Sequence, residues 1–512
     1  MRVKAMLDVG TTLIAAAERD PAKLALVDGE LRLDYAGLLE RAGRVAAGLQ
    51  QLGLPKGSKL LVVLQNRAEM AILHWAAQLA AFVITPVNWR VNASELDFFA
   101  VNSECQAIVY EPASEAAVMA SQAKNNCQLI SVQGAKSANS SIDDLYKTTQ
   151  CLRESLAGPD DLSLMFYTSG TTGQGKGVPR RHSAERAAAL AHVAQNCYRY
   201  GEVTLGVMPL YHTMGVRSLL AMALINGVFV CQPRFDAKQA LSLIEREKIT
   251  NLYLVPTLYH GLVSHADFSS SRVASVRKLG FAGASMTDGL LLKVDAAFKP
   301  ELFVNHYGSS EIYTFTIDQN ARLKPGSAGK AGVNARIRIV KIGSTHPDEG
   351  VTQGEEGQII ASLQGDEAFD GYWKRPDADA RSLHHGWYFT GDVGYADADG
   401  DIFITGRVDD MIITGGENVL PVEIESVLSM HPGVSEVAVV GLPDDRWGQA
   451  ITAFVKRNAP VTEQELDAWC LNSVLAKFKR PRRYVFVAEV PKSPVGKILR
   501  RLLVAGEFRA ES

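Results

Sequence analysis

Apolar and polar positions along the first hundred residues switch repeatedly between two periods. Short runs rich in Val, Ile and Leu (LVDG at 26–29, KLLVVLQN at 59–66, VITPVNW at 83–89) are separated by stretches such as YAGLLERAGRVAAGLQQLG at 35–53, whose apolar residues recur at helical spacing. A period near two suits a strand and one near 3.6 a helix. Their alternation predicts strands joined by crossover helices, hence a largely parallel sheet. The longest apolar stretch, AILHWAAQLAAFVITPV at 71–87, contains His74 and Gln78 and is broken by Pro86. It predicts a buried helix running into a strand, not a membrane span. Residues 125–159, rich in Ser, Gln and Gly, predict little beyond a strand near Leu129. The alternation then resumes from GVMPL at 206–210 to KLGFAGA at 278–284. After about Ala331 short strands turned by glycine dominate (ARIRIVKIG, GQIIASL, IFITGR), which predicts a small β-rich subdomain completing a large N-terminal body. A final α+β unit, rich in helix–strand pairs such as EIESVLSMHPGVSEVAVVGLPD, is of natural domain size. The fold class is α/β, divided as 1–408 and 409–512 with the boundary at Asp409.

Composition narrows the picture. A length of 512 residues exceeds what one core organises, so two or more domains are expected. With 47% hydrophobic and 21% charged residues the chain is an ordinary globular protein, and a net charge of -3 argues against general nucleic-acid binding. Six cysteines without C-x-x-C spacing indicate neither a zinc site nor a disulfide framework, so a reducing cytoplasm fits best. The first twenty residues are interrupted by Asp8, Glu18 and Arg19 and lack the apolar run of a secretory signal.

Candidate chemistry concentrates in YTSGTTGQGKGV at 167–178. Its glycines let backbone N–H groups approach an oxyanion, Thr168, Ser169, Thr171 and Thr172 add hydroxyls, and Lys176 adds a positive charge. That combination suits a polyphosphate. The alternative is a polar surface loop, but the apolar LSLMFY before it predicts a buried strand feeding it. Gly170 to Lys176 also spells G-x-x-x-x-G-K, the start of a P-loop; the match fails at Gly177, where a Ser or Thr should hold magnesium. The next stretch predicts a helix capped near Ser183.

Further landmarks follow in order: PLYH (209–212), GFAGAS (280–285), NHYGSSE (305–311), WYFTGD (387–392), GRVDDMIITGGEN (406–418), P-x-EIE (421–425) and PKSPVGKILRR (491–501). With the glycine loop, this order and spacing resembles the adenylate-forming superfamily of acyl- and aryl-CoA synthetases, luciferases and peptide-synthetase adenylation domains. The wording MPLYH, GRVDDMII, DRWGQ and FKRP is most similar to the 4-chlorobenzoate:CoA ligase branch and its benzoate and fatty-acid relatives. The resemblance covers essentially the whole chain.

It implies a large N-terminal domain of two stacked α/β subdomains plus the β-rich one, with a mobile C-terminal domain hinged at Asp409. It implies ATP, CoA and Mg2+, and a carboxylic acid, aromatic or of medium chain length, as the partner of reaction. Residues 168–173 (Thr168, Ser169, Gly170, Thr171, Thr172, Gly173) and Lys176 would hold phosphates, and Glu311 magnesium. Ala284, Ser285, Asn305, His306, Tyr307, Gly308, Ser309 and Ser310 would surround adenine, with Tyr307 stacked on it. Asp392 would accept the ribose hydroxyls beside Arg407. Lys497 would bridge carboxylate and α-phosphate, and His212 would gate the acyl pocket formed with Thr213, Met214, Tyr253, Ala282, Gly283, His306, Gly308 and Tyr313. Gly415, Gly416, Trp447, Phe478 and Arg480 would receive CoA. Arg217, one turn after Thr213, is expected to face away, pairing with a second polar group of the acid being the alternative. Pro494, Val495 and Gly175 depart from the family's usual wording without removing a reacting group. Acyl transfer to a carrier protein and a non-catalytic nucleotide binder stay open, as does a homodimer.

Overall fold

Three sheets organise the chain in the computed structural model, which describes residues 7–135, 138–168, 175–492 and 498–511. The first has seven strands. Ser140–Ser141, Gln128–Ser131, Ala107–Tyr110, Lys59–Val63, Val83–Pro86 and Leu162–Thr168 run parallel, and Lys176–Arg181 closes the edge antiparallel to its neighbour. Both Val83–Pro86 and Ala107–Tyr110 are buried along their whole length, the condition under which strands become unbroken apolar runs.

The stretch at 71–87 is a helix, Ala68–Ala80, followed by the strand Val83–Pro86. This helix packs on Tyr35–Gln51 and is buried on nearly every face, which explains the absence of an amphipathic stripe. Its polar residues fare differently. The Ser163 hydroxyl donates to Gln78 Oε1 at 2.6 Å, whereas neither ring nitrogen of His74 has a partner among the described residues. Burial therefore pushes the His74 imidazole down to about 3, with nearby His182 acting in the same direction.

An acid-stability prediction follows from that histidine. Unfolded His74 binds a proton below its ordinary pKa near 6.5, and the folded residue does not until far lower pH. Stability is thus complete above about 6.5 and falls as pH drops, by roughly 2–3 kcal/mol from His74 alone between pH 6.5 and 4.5. Urea midpoints measured across that range should decline, and His74→Leu should flatten the slope.

The second sheet, of fourteen strands, has a parallel centre: Leu24–Asp28, Val228–Cys231, Val203–Gly206, Asn251–Leu254, Lys278–Phe281 and Leu302–Tyr307. Beyond Leu302–Tyr307 it turns antiparallel through Thr316–Asp318 and Ser327–Ala331 into Ile402–Arg407, Trp387–Ala396, Gly357–Ser362 and Ile337–Val340. The β-rich region is thus joined edge to edge to the large sheet. Gly329, at φ +74°, marks the irregular register there; a Cβ would fall 2.0 Å from the Ile317 carbonyl oxygen, so no other residue fits.

After Ile402–Arg407 a short 3-10 turn, Val408–Asp410, leads to a third, five-stranded sheet that starts at Ile412–Thr414. Ile412, Ile424, Val439, Ile451 and Leu466 form its own core. Its helix Pro421–Ser429 rests on Ile402–Arg407 and on the helix Asp288–Phe298.

Two local expectations are corrected. Residues 125–159 hold, besides the strand at Leu129, a short helix, Ile142–Tyr146, started by a reciprocal cap between Ser141 and Asp144. The helix expected to be capped by Ser183 begins at His182. Its first N–H groups, those of His182 and Ser183, bond to the carbonyls of Asp161 and Pro159, so tertiary contacts replace the side-chain cap.

Candidate active site

Parallel strands present their carboxyl ends on one edge, and ligands of open α/β sheets bind there. On that edge Val203–Gly206 leads to His212, Asn251–Leu254 carries Tyr253, Lys278–Phe281 leads to Ala282, Gly283, Ala284 and Ser285, and Leu302–Tyr307 leads to Gly308, Ser309 and Ser310. Phe281 and Asn305 are direct partners in the register, which places two separate motifs side by side.

The glycine loop belongs to the other sheet. Thr168 pairs with Lys176 and Tyr167 with Gly177, so the loop closes an antiparallel hairpin. A P-loop leads from strand to helix, and that rival is excluded. Ser169, Gly170, Thr171, Thr172 and Gly173 lie outside the described residues. At the loop's ends, Thr168 Oγ1 is buried without a partner among the described residues, and Lys176 Nζ lies 4.0 Å from the centre of the Tyr372 ring. Burial lowers the Lys176 pKa, opposed by the charge of Glu311. Tyr372 links the two: its hydroxyl donates to Glu311 Oε1 at 2.6 Å. Glu311 is buried and forms no ion pair among the described residues.

Across the same edge, strands Trp387–Ala396 and Ile402–Arg407 set Asp392 opposite Arg407, 3.4 Å apart as an ion pair. The Tyr307 hydroxyl donates to the other Asp392 oxygen at 2.6 Å, and Arg407 also donates to the Thr390 carbonyl at 3.1 Å. Burial, together with the Asp392 charge, keeps Tyr307 a phenol. The Asn305 amide donates to the Ser327 carbonyl at 2.7 Å, and Ser309 Oγ accepts from the backbone of Glu311 at 3.2 Å, which shapes the turn. Gly308 has a steric duty: a Cβ would come within 2.1 Å of the Tyr313 carbonyl oxygen.

Beside these groups stands an aromatic cluster. His212 caps the helix Thr213–Leu224, accepting from the Met214 N–H at 3.4 Å; burial, then the Arg217 charge, hold it near 4 and so neutral. Tyr253 and His306 rings are 5.0 Å apart, and His192 lies 4.6 Å from Tyr253. Tyr313 donates its hydroxyl to Glu185 at 2.9 Å. Arg217 does not face away. It is 2% exposed and donates to Thr314 Oγ1 at 2.7 Å and to the Tyr253 hydroxyl.

In the C-terminal unit Gly415 and Gly416 form a turn at φ +60° and +85°. Trp447 packs on Gly415, and a Cβ on Gly416 would meet nothing. Arg446 and Arg482 sit over the Trp447 ring at 4.8 and 4.9 Å. Phe478 is 43% exposed, and Arg480 is paired with Asp467 at 3.1 Å. Lys497 lies outside the described residues; Lys492 and Ile498 on either side of it are bridged, and Lys492 pairs with Glu436 at 2.8 Å.

Sequence reasoning missed Tyr372, which unites Lys176 with Glu311, and Arg446. A glycine before paired aromatics at 371–373 and the Arg beside Trp447 were the available signals. The buried set Arg180, Glu185 and Glu367 had none, because each is separated from its partners along the chain or hidden in ordinary surroundings.

Comparison with known proteins shows the family of the chain. The profile described as AMP-binding enzyme matches residues 13–373, and that of the AMP-binding enzyme C-terminal domain matches 423–497. A 4-chlorobenzoate–CoA ligase of an Arthrobacter species is 32% identical, covering 95% of this chain and 93% of its own. The long-chain-fatty-acid–CoA ligase FadD13 of Mycobacterium tuberculosis is also 32% identical, covering 97% and 98%. Among solved structures, ATP-bound MatB from Rhodopseudomonas palustris superimposes with a TM-score of 0.88 at 28% identity, over 98% of this chain and 99% of that one.

Proposed function

We propose that this chain, which belongs to the AMP-binding enzyme family, activates a carboxylic acid as its acyl-adenylate and passes the acyl group to the thiol of coenzyme A. The enzyme is an acid–thiol ligase that forms AMP and diphosphate. The observation that supports the site assignment is the link between two half-sites, since the Tyr372 hydroxyl is hydrogen-bonded to the hydroxyl of Tyr388, 3.4 Å away on the strand that carries Asp392. One is Thr168, Lys176, Tyr372 and Glu311; the other is Tyr307, Asp392 and Arg407.

A carboxylate repels nucleophiles and has no good leaving group, so it is first made into a mixed anhydride. Its oxygen attacks the α-phosphorus of ATP, pyrophosphate departs, and a thiol then displaces AMP. The protein's task in the first half is to align anions and neutralise them. In this reading residues 168–173 and Lys176 bind the β- and γ-phosphates, and the unpartnered Thr168 hydroxyl is free to donate. Asp392, oriented by Tyr307 and Arg407, accepts the ribose hydroxyls. Lys497 bridges carboxylate and α-phosphate.

Glu311 fits a divalent cation, being a buried carboxylate with a phenol donor on one oxygen and no described cation in contact. Magnesium bound there would supply neutralisation of phosphate charge. Tyr372→Phe removes the hydrogen bond that orients this carboxylate. The magnesium concentration needed for half-maximal pyrophosphate–ATP exchange should then rise about tenfold or more, with little change in KM for the acid.

The acyl pocket is assigned to the neighbourhood of His212, where Tyr253, Ala282, His306 and Tyr313 are buried and mostly aromatic or apolar, a lining that suits an aromatic ring or a medium acyl chain. We place the hinge at Asp409 and the receiving surface for the CoA nucleotide at Trp447, Phe478 and the basic residues around them, including Arg446. No described helix is long and apolar enough to cross a membrane, and all six cysteines are free; a cytoplasmic setting agrees with both. Exchange of labelled pyrophosphate into ATP, screened over aromatic and aliphatic acids, tests adenylation. Thioester formation with free CoA tests the acceptor. Absence of exchange with every acid would refute the proposal, and exchange without a CoA thioester would redirect it to a carrier protein.

A further inference from the structure

We infer that the acid activated here carries a second carboxylate, remote from the one that is adenylated, and that Arg217 receives it. The inference rests on the ligase reading and on the acyl pocket assigned above, and it narrows the substrate to a dicarboxylic acid. Arg217 lies four residues after Thr213 in Thr213–Leu224, so both project from one face of the helix, beneath His212 at its cap.

A buried guanidinium normally lies against a carboxylate, because an uncompensated charge away from water is strongly unfavourable. Arg217 has no such partner among the described residues. The neighbouring Arg180 is compensated, since Glu185 pairs with it at 2.8 Å and takes the Tyr313 hydroxyl on its other oxygen. The remaining buried carboxyl, Glu367, bonds to Asn334 and makes no ion-pair contact with Arg217; burial raises its pKa, which favours the uncharged acid, although Arg217 and Arg180 oppose this. The groups that touch Arg217 are the neutral Thr314 hydroxyl and the Tyr253 phenol.

The histidines around it cannot supply negative charge. Burial, and then the Arg217 charge, lower the pKa of both His212 and His306, and the same two causes lead for His192. Three buried nitrogens in this cluster, Arg217 Nε, His306 Nδ1 and His192 Nε2, have no partner among the described residues. The His192 and His306 rings lie 5.4 Å apart, and Arg217 lies 5.5 Å from the centres of both the Tyr253 and Tyr313 rings. A positive patch with unused polar atoms therefore borders an aromatic wall. A guanidinium presents a planar fork that matches a carboxylate, and the chemistry of this enzyme already selects carboxylic acids at the other end of the pocket.

The test compares acids that share a skeleton and differ by one carboxylate: benzoate with isophthalate, and octanoate with octanedioate. Pyrophosphate–ATP exchange is measured for each with the full chain. The wild type should favour the diacid of at least one pair by roughly ten- to hundredfold in kcat/KM, chiefly through KM. Arg217→Met should bring the two acids of that pair to within about threefold of each other, and Arg217→Lys should keep part of the preference. A wild type that uses the monoacids as well as or better than the diacids overturns the inference while leaving the ligase reading intact. So does an Arg217→Met enzyme that keeps the preference. Should the Met variant not fold, the wild-type ratio and the Lys variant decide. No exchange with any acid removes the ligase reading and this inference with it.

Discussion

Lys497→Ala should lower acyl-adenylate formation by roughly a hundred- to thousandfold, the scale on which one group that stabilises a transition-state charge usually contributes. Conversion of supplied acyl-AMP to the thioester should fall far less. The asymmetry arises because two anions, carboxylate and α-phosphate, must approach only in the first half-reaction. In the second, a thiol meets an already activated carbonyl. Single-turnover measurement of AMP-ester formation, set beside thioester formation from synthetic acyl-AMP, separates the two. Equal loss in both halves by a folded variant would contradict the assignment.

Gly416→Leu should do the reverse, cutting thioester formation about a hundredfold, the cost typical of misplacing a reacting group by an ångström, while adenylation is largely kept. In the orientation seen here a Cβ on Gly416 meets open space, so packing does not demand the glycine. Its φ of +85° imposes some strain on any other residue, yet that strain is local to an exposed turn. What remains, on the proposed turn of the C-terminal unit about Asp409, is a requirement for the Gly415–Gly416 turn to face the site and leave room for the pantetheine arm. Gly416→Asn, which tolerates positive φ better, separates the two causes. A passage requirement leaves Asn impaired, whereas strain alone would let it recover. Loss of Trp447, which lies under Arg446 and Arg482, should likewise weaken CoA use more than adenylation.

Much of the architecture was legible because its signals are local. Pro86 and the apolar run before it foretold a buried helix and strand, and Ala68–Ala80 with Val83–Pro86 are that pair. The missing hydroxyl at Gly177 argued against a P-loop before the hairpin of Leu162–Thr168 with Lys176–Arg181 excluded it. Less legible were features whose cause lies far along the chain. Ser183 has the side chain of a cap, but the carbonyls of Pro159 and Asp161 perform the role. The β-rich region reads as a subdomain completing the large body, but only the pairing of Ser327–Ala331 with Ile402–Arg407 shows that it extends the large sheet itself. Arg217 was expected to face away, but Thr314 and Tyr253, distant along the chain, hold it inside.

The order and spacing of the motifs, the periods of the apolar residues and the choice of Glu311, Asp392 and Lys497 as candidate groups came from the sequence alone, since each depends on neighbours within a few positions or on the identity of a side chain. Only the tertiary structure decided that Tyr372 holds Glu311, that Tyr307 holds Asp392, and that Arg217 is buried with no ion-pair partner among the described residues. Compensation of charge in a low-dielectric interior depends on which groups come into contact across sheets and helices, and no local pattern in the chain encodes that.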